Sequence, residues 1–120
     1  MSFAANAYTR TANSVLSPRE AEAAVLIKAA QQLQMVKDDW TNQSANLNKA
    51  LNFNQKVWTL LAGAATAPES PLPIAIKNNI GQLSVFVFRR IIDTLIEPGA
   101  DKLSALININ QQIAAGLRSS

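Results

Sequence analysis

Apolar residues recur along this chain every three or four positions, the spacing that places them on one side of an α-helix. The pattern therefore predicts a small all-α bundle with about four main helices. Residues 17–118 are expected to form a single helical bundle domain, and residues 1–16 a short N-terminal arm or helix. The expected helices run from Pro18 to about Trp40, from Ala45 to about Ala62, from about Pro73 to Glu97 and from Lys102 to about Leu117.

The longest apolar stretch, Ile80 to Ile96, is the hardest to assign from its pattern. A strand is one interpretation because Val85 to Phe88 is β-branched and aromatic, but these four consecutive apolar residues break strict alternation. The apolar pattern also continues without turn residues for longer than an ordinary strand. A membrane span is disfavoured because Arg89 and Arg90 interrupt the stretch. The pattern therefore favours a buried helix.

This third helix is apolar on more than one side when successive residues are placed about 100° apart around the helix axis. The core sector contains Ile76, Ile80, Leu83, Val87, Ile91 and Leu95, and the second sector contains Val85, Phe88, Ile92 and Ile96. A helix this broadly apolar needs neighbours on more than one side. Phe86 lies apart from both sectors, beside Arg89 and Arg90. It is either covered by the arm or another helix, or exposed as an anchor for a partner.

Helix ends are predicted from residues that cap helices or break them. Ser17 is expected to cap the first helix, with Glu20 completing a capping box and Pro18 at the first helical position. The loop Gly63–Pro73 contains three prolines and is expected to separate the second and third helices. Gly81, inside the third helix, is expected to allow close packing against another helix. The other expected caps are Ser44, Ser70 and Asp101.

Two asparagines interrupt otherwise apolar helix faces. Asn54 lies in the apolar stripe of the second helix, and Asn110 lies in that of the fourth. A buried amide without hydrogen bonds costs about 1–3 kcal/mol, so a bonding partner is expected for such a side chain. Asn54 is expected either to bond a loop or another helix end, or to orient a partner or fix helix register.

The composition argues against enzymatic chemistry. The chain has no Cys and no His, which removes thiol nucleophiles, the commonest general base and the commonest metal ligand. Motifs for nucleotide binding, zinc proteases and serine hydrolases are also absent, so no cofactor, metal site or catalytic residue is expected. Asp38 and Asp39 are adjacent and would not face each other on a helix. The start of the chain lacks the pattern of a secretory signal, which predicts a cytoplasmic protein.

Several segments carry a family resemblance through their order and spacing rather than through any single motif. They are SPREAE at 17–22, ALNFNQKVWTLLAG at 50–63, SPLP at 70–73, IKNNIGQLSVFVFRR at 76–90 and LSALININQQIAAGL at 103–117. With these segments the chain resembles the FlaF family, the flagellar biosynthesis regulators of alphaproteobacteria. It departs from the family pattern at Phe86, where Trp is common, and at Arg90, which follows Arg89. Both departures fall on the same side of the third helix and bear on partner specificity.

The resemblance implies a small cytoplasmic protein needed for flagellin production or export. It also implies that the chain acts as a chaperone that binds flagellin, alongside the translational regulator FlbT. A helical bundle with spare apolar surface can hold an amphipathic helix that is disordered before assembly. The candidate partner-binding groove is the second sector of the third helix, at Val85, Phe88 and Ile92, with Phe86 and Arg89 at its rim.

An alternative function is post-transcriptional regulation through binding of flagellin RNA. The net charge of +3 is compatible with an anionic partner. The basic residues are scattered from Arg10 to Arg118, however, and the sequence shows no aromatic platform on which bases would stack. Nucleic acid is therefore the less favoured partner, and insertion into a membrane is not expected.

Overall fold

The computed structural model describes residues 17–119, which form an all-α protein without strands. The predicted N-terminal arm, residues 1–16, lies outside the described residues. The long helices are α1 (Pro18–Asp38), α2 (Leu47–Thr66), α3 (Ile74–Ile96) and α4 (Leu103–Arg118). The prediction of a small helical bundle with four main helices is confirmed for this part of the chain.

α1 begins where its sequence predicts and ends slightly earlier. Ser17 Oγ accepts a hydrogen bond from the backbone N–H of Glu20 at 3.1 Å, and Pro18 is the first helical residue. α1 ends at Asp38, two residues before the predicted end at about Trp40, because Asp39 leaves helical geometry, with φ −131° and ψ 53°. Trp40 instead begins a short helical turn, Trp40–Gln43, which forms the corner between α1 and α2.

α2 extends four residues past its predicted end at Ala62, to Thr66. Gly63 does not stop the helix, since a glycine inside a helix costs only about 1 kcal/mol. Ala65 is buried, and Thr66 Oγ1 donates to the carbonyl of Ala62 at 2.9 Å, so the last turn contributes to packing and is closed by a side chain. The loop is therefore limited to residues 67–73, where the prolines lie.

The three other predicted caps are wrong, because none of α2, α3 and α4 has a side-chain hydrogen bond at its N-cap. Ser44 lies in the 3₁₀ turn Ser44–Asn46 before α2, and Asp101 lies in the 3₁₀ turn Ala100–Lys102 before α4. Neither helix has a side-chain hydrogen bond at its N-cap. Ser70 Oγ accepts from the N–H of Leu72 within the loop, and the N-cap of α3 is Pro73.

The core lies where α1, α2 and α4 meet, and α3 closes one side of it. α1 packs most extensively on α4, and α2 packs on both α1 and α3. Buried alanines of α1, namely Ala23, Ala29 and Ala30, allow close approach of neighbouring helices. The molecule measures 41 × 36 × 23 Å, and its smallest dimension corresponds to two helices of about 10–12 Å each. In a molecule two helices thick, each helix leaves one side to solvent.

Asn54 and Asn110 bond to each other inside the core. Asn110 Nδ2 donates to Asn54 Oδ1, and Trp58 Nε1 donates to Asn110 Oδ1 at 2.7 Å. All three side chains are fully buried. The bonds join the middle of α2 to the middle of α4, so of the predicted roles for Asn54 the structure supports fixing the register of two helices. A loop or a helix end is not its partner.

Candidate protein-binding surface

The outer side of α3 carries large apolar side chains that no other described element covers. Val85 is 53% exposed, Ile92 57% and Ile96 79%, and the spacing of these residues places them on one line along the helix. Ile74 extends this line at the start of α3, and Leu95 borders it in the last turn. We call this set the α3 stripe: Ile74, Val85, Ile92, Leu95 and Ile96.

The opposite side of α3 is anchored in the core, which holds the α3 stripe outward. Ile80, Val87 and Ile91 are almost completely buried there. The hydroxyl groups of Ser84 and Thr94 are also buried, but each donates to a carbonyl of α3 itself, at 2.8 and 2.6 Å. Their burial therefore leaves no hydroxyl unbonded. α3 is thus a helix with one fully packed side and one exposed apolar side.

Two expectations about α3 are wrong. Leu95 was expected in the core sector, yet it is 38% exposed because it lies in the last turn, at the border of the packed side. Gly81 was expected to allow close packing, yet a Cβ built on it would meet no atom within 4 Å. Its place in the helix is therefore not explained by a close approach of another helix.

The structure separates the predicted partner-binding residues by burial. Val85 and Ile92 are exposed, and Arg89 is exposed between them, about one turn from each. Phe88 is half-buried and packs against the core, so it forms the inner edge of the α3 stripe. These four residues lie on adjoining positions of one helix and can contact one partner together.

Phe86 is shielded by a side chain of its own helix. The Arg90 guanidinium lies 5.2 Å from the centre of the Phe86 ring, and the phenylalanine is 38% exposed. A cation over an aromatic ring at such an exposed position contributes about 0.5–1 kcal/mol. Phe86 and Arg90 therefore contact each other, which the separation of four positions allows on a helix.

A cluster of polar groups holds the end of α3 beside Ile92 and Ile96. Lys102 Nζ donates a hydrogen bond at 2.7 Å to the backbone carbonyl of Glu97, the residue just past the end of α3. The same ammonium group lies 3.3 Å from Asp93 Oδ2 and 3.7 Å from Glu97 Oε2. The two carboxylates at this end of the α3 stripe are therefore already engaged.

A second apolar depression, which the apolar stripes of the sequence do not predict, lies between α1 and α2. Its volume is about 430 Å³, and exposed Val25 and Leu60 stand on its two sides. We call it the α1–α2 groove, lined by Ala21, Glu22, Val25, Leu26, Val57, Leu60, Leu61 and Ala64. The available signal was an apolar residue outside the core stripe of each helix, Val25 on α1 and Leu60 on α2.

Glu22 is the one ionisable residue that lines this groove. Its Oε2 is enclosed and accepts no hydrogen bond from the described residues. Burial raises the pKa of Glu22 above its ordinary value of 4.5, and the positive charge of Arg19 partly opposes that change. The carboxylate therefore offers an acceptor to a donor that enters the groove.

The fold and the α3 stripe define a small all-α protein with an apolar helix face that no other element of residues 17–119 covers. The sequence model of the family described as flagellar protein FlaF matches residues 4–117, almost the entire chain. The chain belongs to this family and is a flagellar protein, which confirms the family resemblance. No curated protein and no solved structure matches it significantly. Within residues 17–119, no helix has the length and apolar character needed to cross a membrane.

Proposed function

We propose that this protein is a cytoplasmic chaperone and regulator that binds flagellin before flagellin is exported and assembled. Membership of the flagellar protein FlaF family supports a role in the flagellum. The observation that carries the finer proposal is the α3 stripe, because a row of exposed apolar side chains on a well-packed helix is a feature of partner-binding surfaces.

The partner segment is a terminal amphipathic helix of flagellin. α3 has 23 residues and is about 35 Å long at 1.5 Å per residue, enough to pack along a partner helix of several turns. Val85, Ile92 and Ile96 would contact the apolar face of that helix, while Arg89 would face its polar border. Covering the apolar face would remove it from contacts between flagellin molecules and so prevent premature polymerisation.

The test is calorimetric titration of the purified chain with its cognate flagellin. We expect the double variant Val85→Gln and Ile92→Gln to bind flagellin at least about tenfold more weakly, because it loses two apolar contacts at the centre of the α3 stripe. Glutamine keeps the net charge and favours helix, so the apolar contact is the property that changes.

Met35→Gln is the matched control for this titration. Met35 is 63% exposed on α1, outside the α3 stripe, and its replacement makes the same kind of chemical change. The control should bind flagellin as the unmodified chain does. The proposal fails if no binding is observed at low salt, or if the double variant binds as tightly as the control.

Regulation through RNA receives less support from the positions of the aromatic rings. Lys28 lies over Phe53 at 5.7 Å and Arg90 over Phe86 at 5.2 Å, and Trp58 is fully buried. Base stacking needs an accessible ring face. A gel shift with flagellin transcript over a range of salt concentrations, together with the flagellin titration, distinguishes the two functions. A specific RNA regulator would still bind the transcript at moderate salt and would not bind flagellin.

A further inference from the structure

The α1–α2 groove continues into a positively charged surface on the same two helices. Lys28 of α1 lies over Phe53 of α2, with Nζ 5.7 Å from the centre of the ring. Lys49 and Lys56 lie about one turn before and one turn after Phe53 on α2. We call these three residues the lysine cluster: Lys28, Lys49 and Lys56.

No acidic residue neutralises the lysine cluster from α2, since Leu47–Thr66 contains no Asp or Glu. None of the three lysines makes an ion pair with another residue of the described range 17–119. The neighbouring side chains on this surface are amides, namely Gln32, Asn48 and Asn52. The surface therefore presents positive charge together with hydrogen-bonding groups.

The two ends of this surface differ in chemistry. α1 and α2 run antiparallel, so that Ala21 and Glu22 face the region of Ala64. That end is apolar and contains the enclosed Glu22 Oε2, which accepts no hydrogen bond within the described chain. The other end carries the lysine cluster. A ligand would therefore need an apolar side, a donor at one end and negative charge along the remainder.

We propose that the α1–α2 groove and the lysine cluster together dock an amphipathic α-helix of another protein, apolar on one face and acidic along the flank that meets the lysines. Residues 47–64 of α2 extend for about 27 Å, which matches a helix of about 18 residues. The space between two antiparallel helices accepts the ridge formed by every third or fourth side chain of a third helix.

Two other occupants of the groove match it less well. Residues 1–16 precede α1 at the Ala21 end of the groove, but they contain no Asp or Glu to meet the lysine cluster. In a symmetric pair of two copies, the same face of each chain would meet, and the two lysine clusters would repel each other. A partner that carries negative charge is the occupant that the charges favour.

The experiment uses two synthetic 18-residue peptides and the full-length chain. Both peptides carry leucines at helical spacing; one has glutamates along the flanks, and the other has lysines at the same positions. We expect the acidic peptide to bind in a fluorescence anisotropy titration, with an affinity that falls as salt is added. The double variant Lys49→Glu and Lys56→Glu should bind the acidic peptide about tenfold more weakly and should bind the basic peptide instead.

Three controls locate the binding. Leu60→Gln should weaken binding of the acidic peptide, because Leu60 lines the groove, whereas Lys77→Glu, a charge reversal on α3, should not change it. Val85→Gln with Ile92→Gln, which tests the α3 stripe, should also bind the acidic peptide normally. The failure of this docking site is therefore distinguishable from the failure of the proposed flagellin surface.

Four results would overturn the docking proposal. The first is equal binding of the acidic and basic peptides, and the second is an unchanged affinity in the Lys49 and Lys56 double variant. The third is displacement of the acidic peptide by a peptide of residues 1–16, which would identify the chain's own segment as the occupant. The fourth is its displacement by single-stranded RNA at moderate salt, which would identify the lysine cluster as an RNA surface.

Discussion

At the scale of single residues, the Trp58 indole determines how two buried amides are oriented. An indole nitrogen only donates, so Asn110 must present Oδ1 to it at 2.7 Å. Asn110 Nδ2 then faces Asn54 Oδ1 and donates to it. Asn54 Nδ2 is left without an acceptor in the described chain. The two asparagines therefore contribute unequally, since both polar groups of Asn110 are bonded but only one of Asn54 is.

This inequality predicts different costs for two similar substitutions. Asn110→Leu would leave both the Trp58 donor and the Asn54 acceptor unbonded, and should lower the free energy of unfolding by about 2–5 kcal/mol. Asn54→Leu would leave only Asn110 Nδ2 unbonded and would remove a donor that is already without a partner. It should cost less, about 1–2 kcal/mol.

Urea denaturation followed by far-ultraviolet circular dichroism measures both costs. The double variant with leucine at both positions leaves only the Trp58 donor unbonded, so its cost should be smaller than the sum of the two single costs. A larger cost for Asn54→Leu than for Asn110→Leu would contradict the assigned orientation of the amides.

The amide pair also shows where sequence reasoning ends. The apolar stripes predict that Asn54 and Asn110 are buried, but these residues are 56 positions apart, and only the arrangement of all four helices around one core brings them together. The α3 stripe was partly predictable because Val85 and Ile92 lie on one helix and exceed what a core needs. The lysine cluster was not, because Lys28 belongs to a different helix from Lys49 and Lys56.

At the scale of helices, spacing predicted their existence better than their ends. The break occurs at Asp39, which is the N-cap residue of the turn Trp40–Gln43, and aspartate is common at that position. The extension of α2 through Gly63 depends on burial of Ala65, which requires the neighbouring helices. The residues that cap or break a helix thus set limits to helices, and tertiary packing sets the actual ends within these limits.

Gly63 and Gly81 are helical residues at which an alanine should stabilise the protein. A Cβ at either position would meet no atom within 4 Å. We therefore expect Gly63→Ala and Gly81→Ala each to raise the free energy of unfolding by about 0.5–1 kcal/mol, through higher helix propensity and a less flexible unfolded chain. Gly99→Ala is the matched control, because there a Cβ would lie 3.0 Å from Asp101 Oδ1.

Chemical denaturation of the three alanine variants and the unmodified chain would measure these changes. The control should show no gain in stability. If Gly81→Ala destabilised the protein, an unrecognised close contact of α3 would be indicated, and the α3 stripe would no longer be free along its length.

At the scale of the whole molecule, the fold is two helices thick. The residues that stabilise the core and the residues that face solvent therefore lie on different sides of each helix. The core needs only one side of α3, where Ile80, Val87 and Ile91 are buried. The residues of the α3 stripe are more than a third exposed and contribute little to folding. Apolar side chains at these positions are therefore better explained by a partner than by the stability of the chain itself.

Flagellin should consequently stabilise the unmodified chain, and the α3 stripe should be required for that effect. A ligand at about 100 times its dissociation constant raises the free energy of unfolding by about 2.7 kcal/mol. Without flagellin, the free energy of unfolding of the double variant Val85→Gln and Ile92→Gln should lie within about 0.5 kcal/mol of that of the unmodified chain, since both side chains are exposed.

Added flagellin should stabilise the unmodified chain and Met35→Gln, but not the double variant, in denaturation monitored by hydrogen exchange of the core of α1. Equal stabilisation of all three proteins would place the flagellin contact elsewhere, and a large loss of stability in the double variant alone would show that the α3 stripe serves the fold.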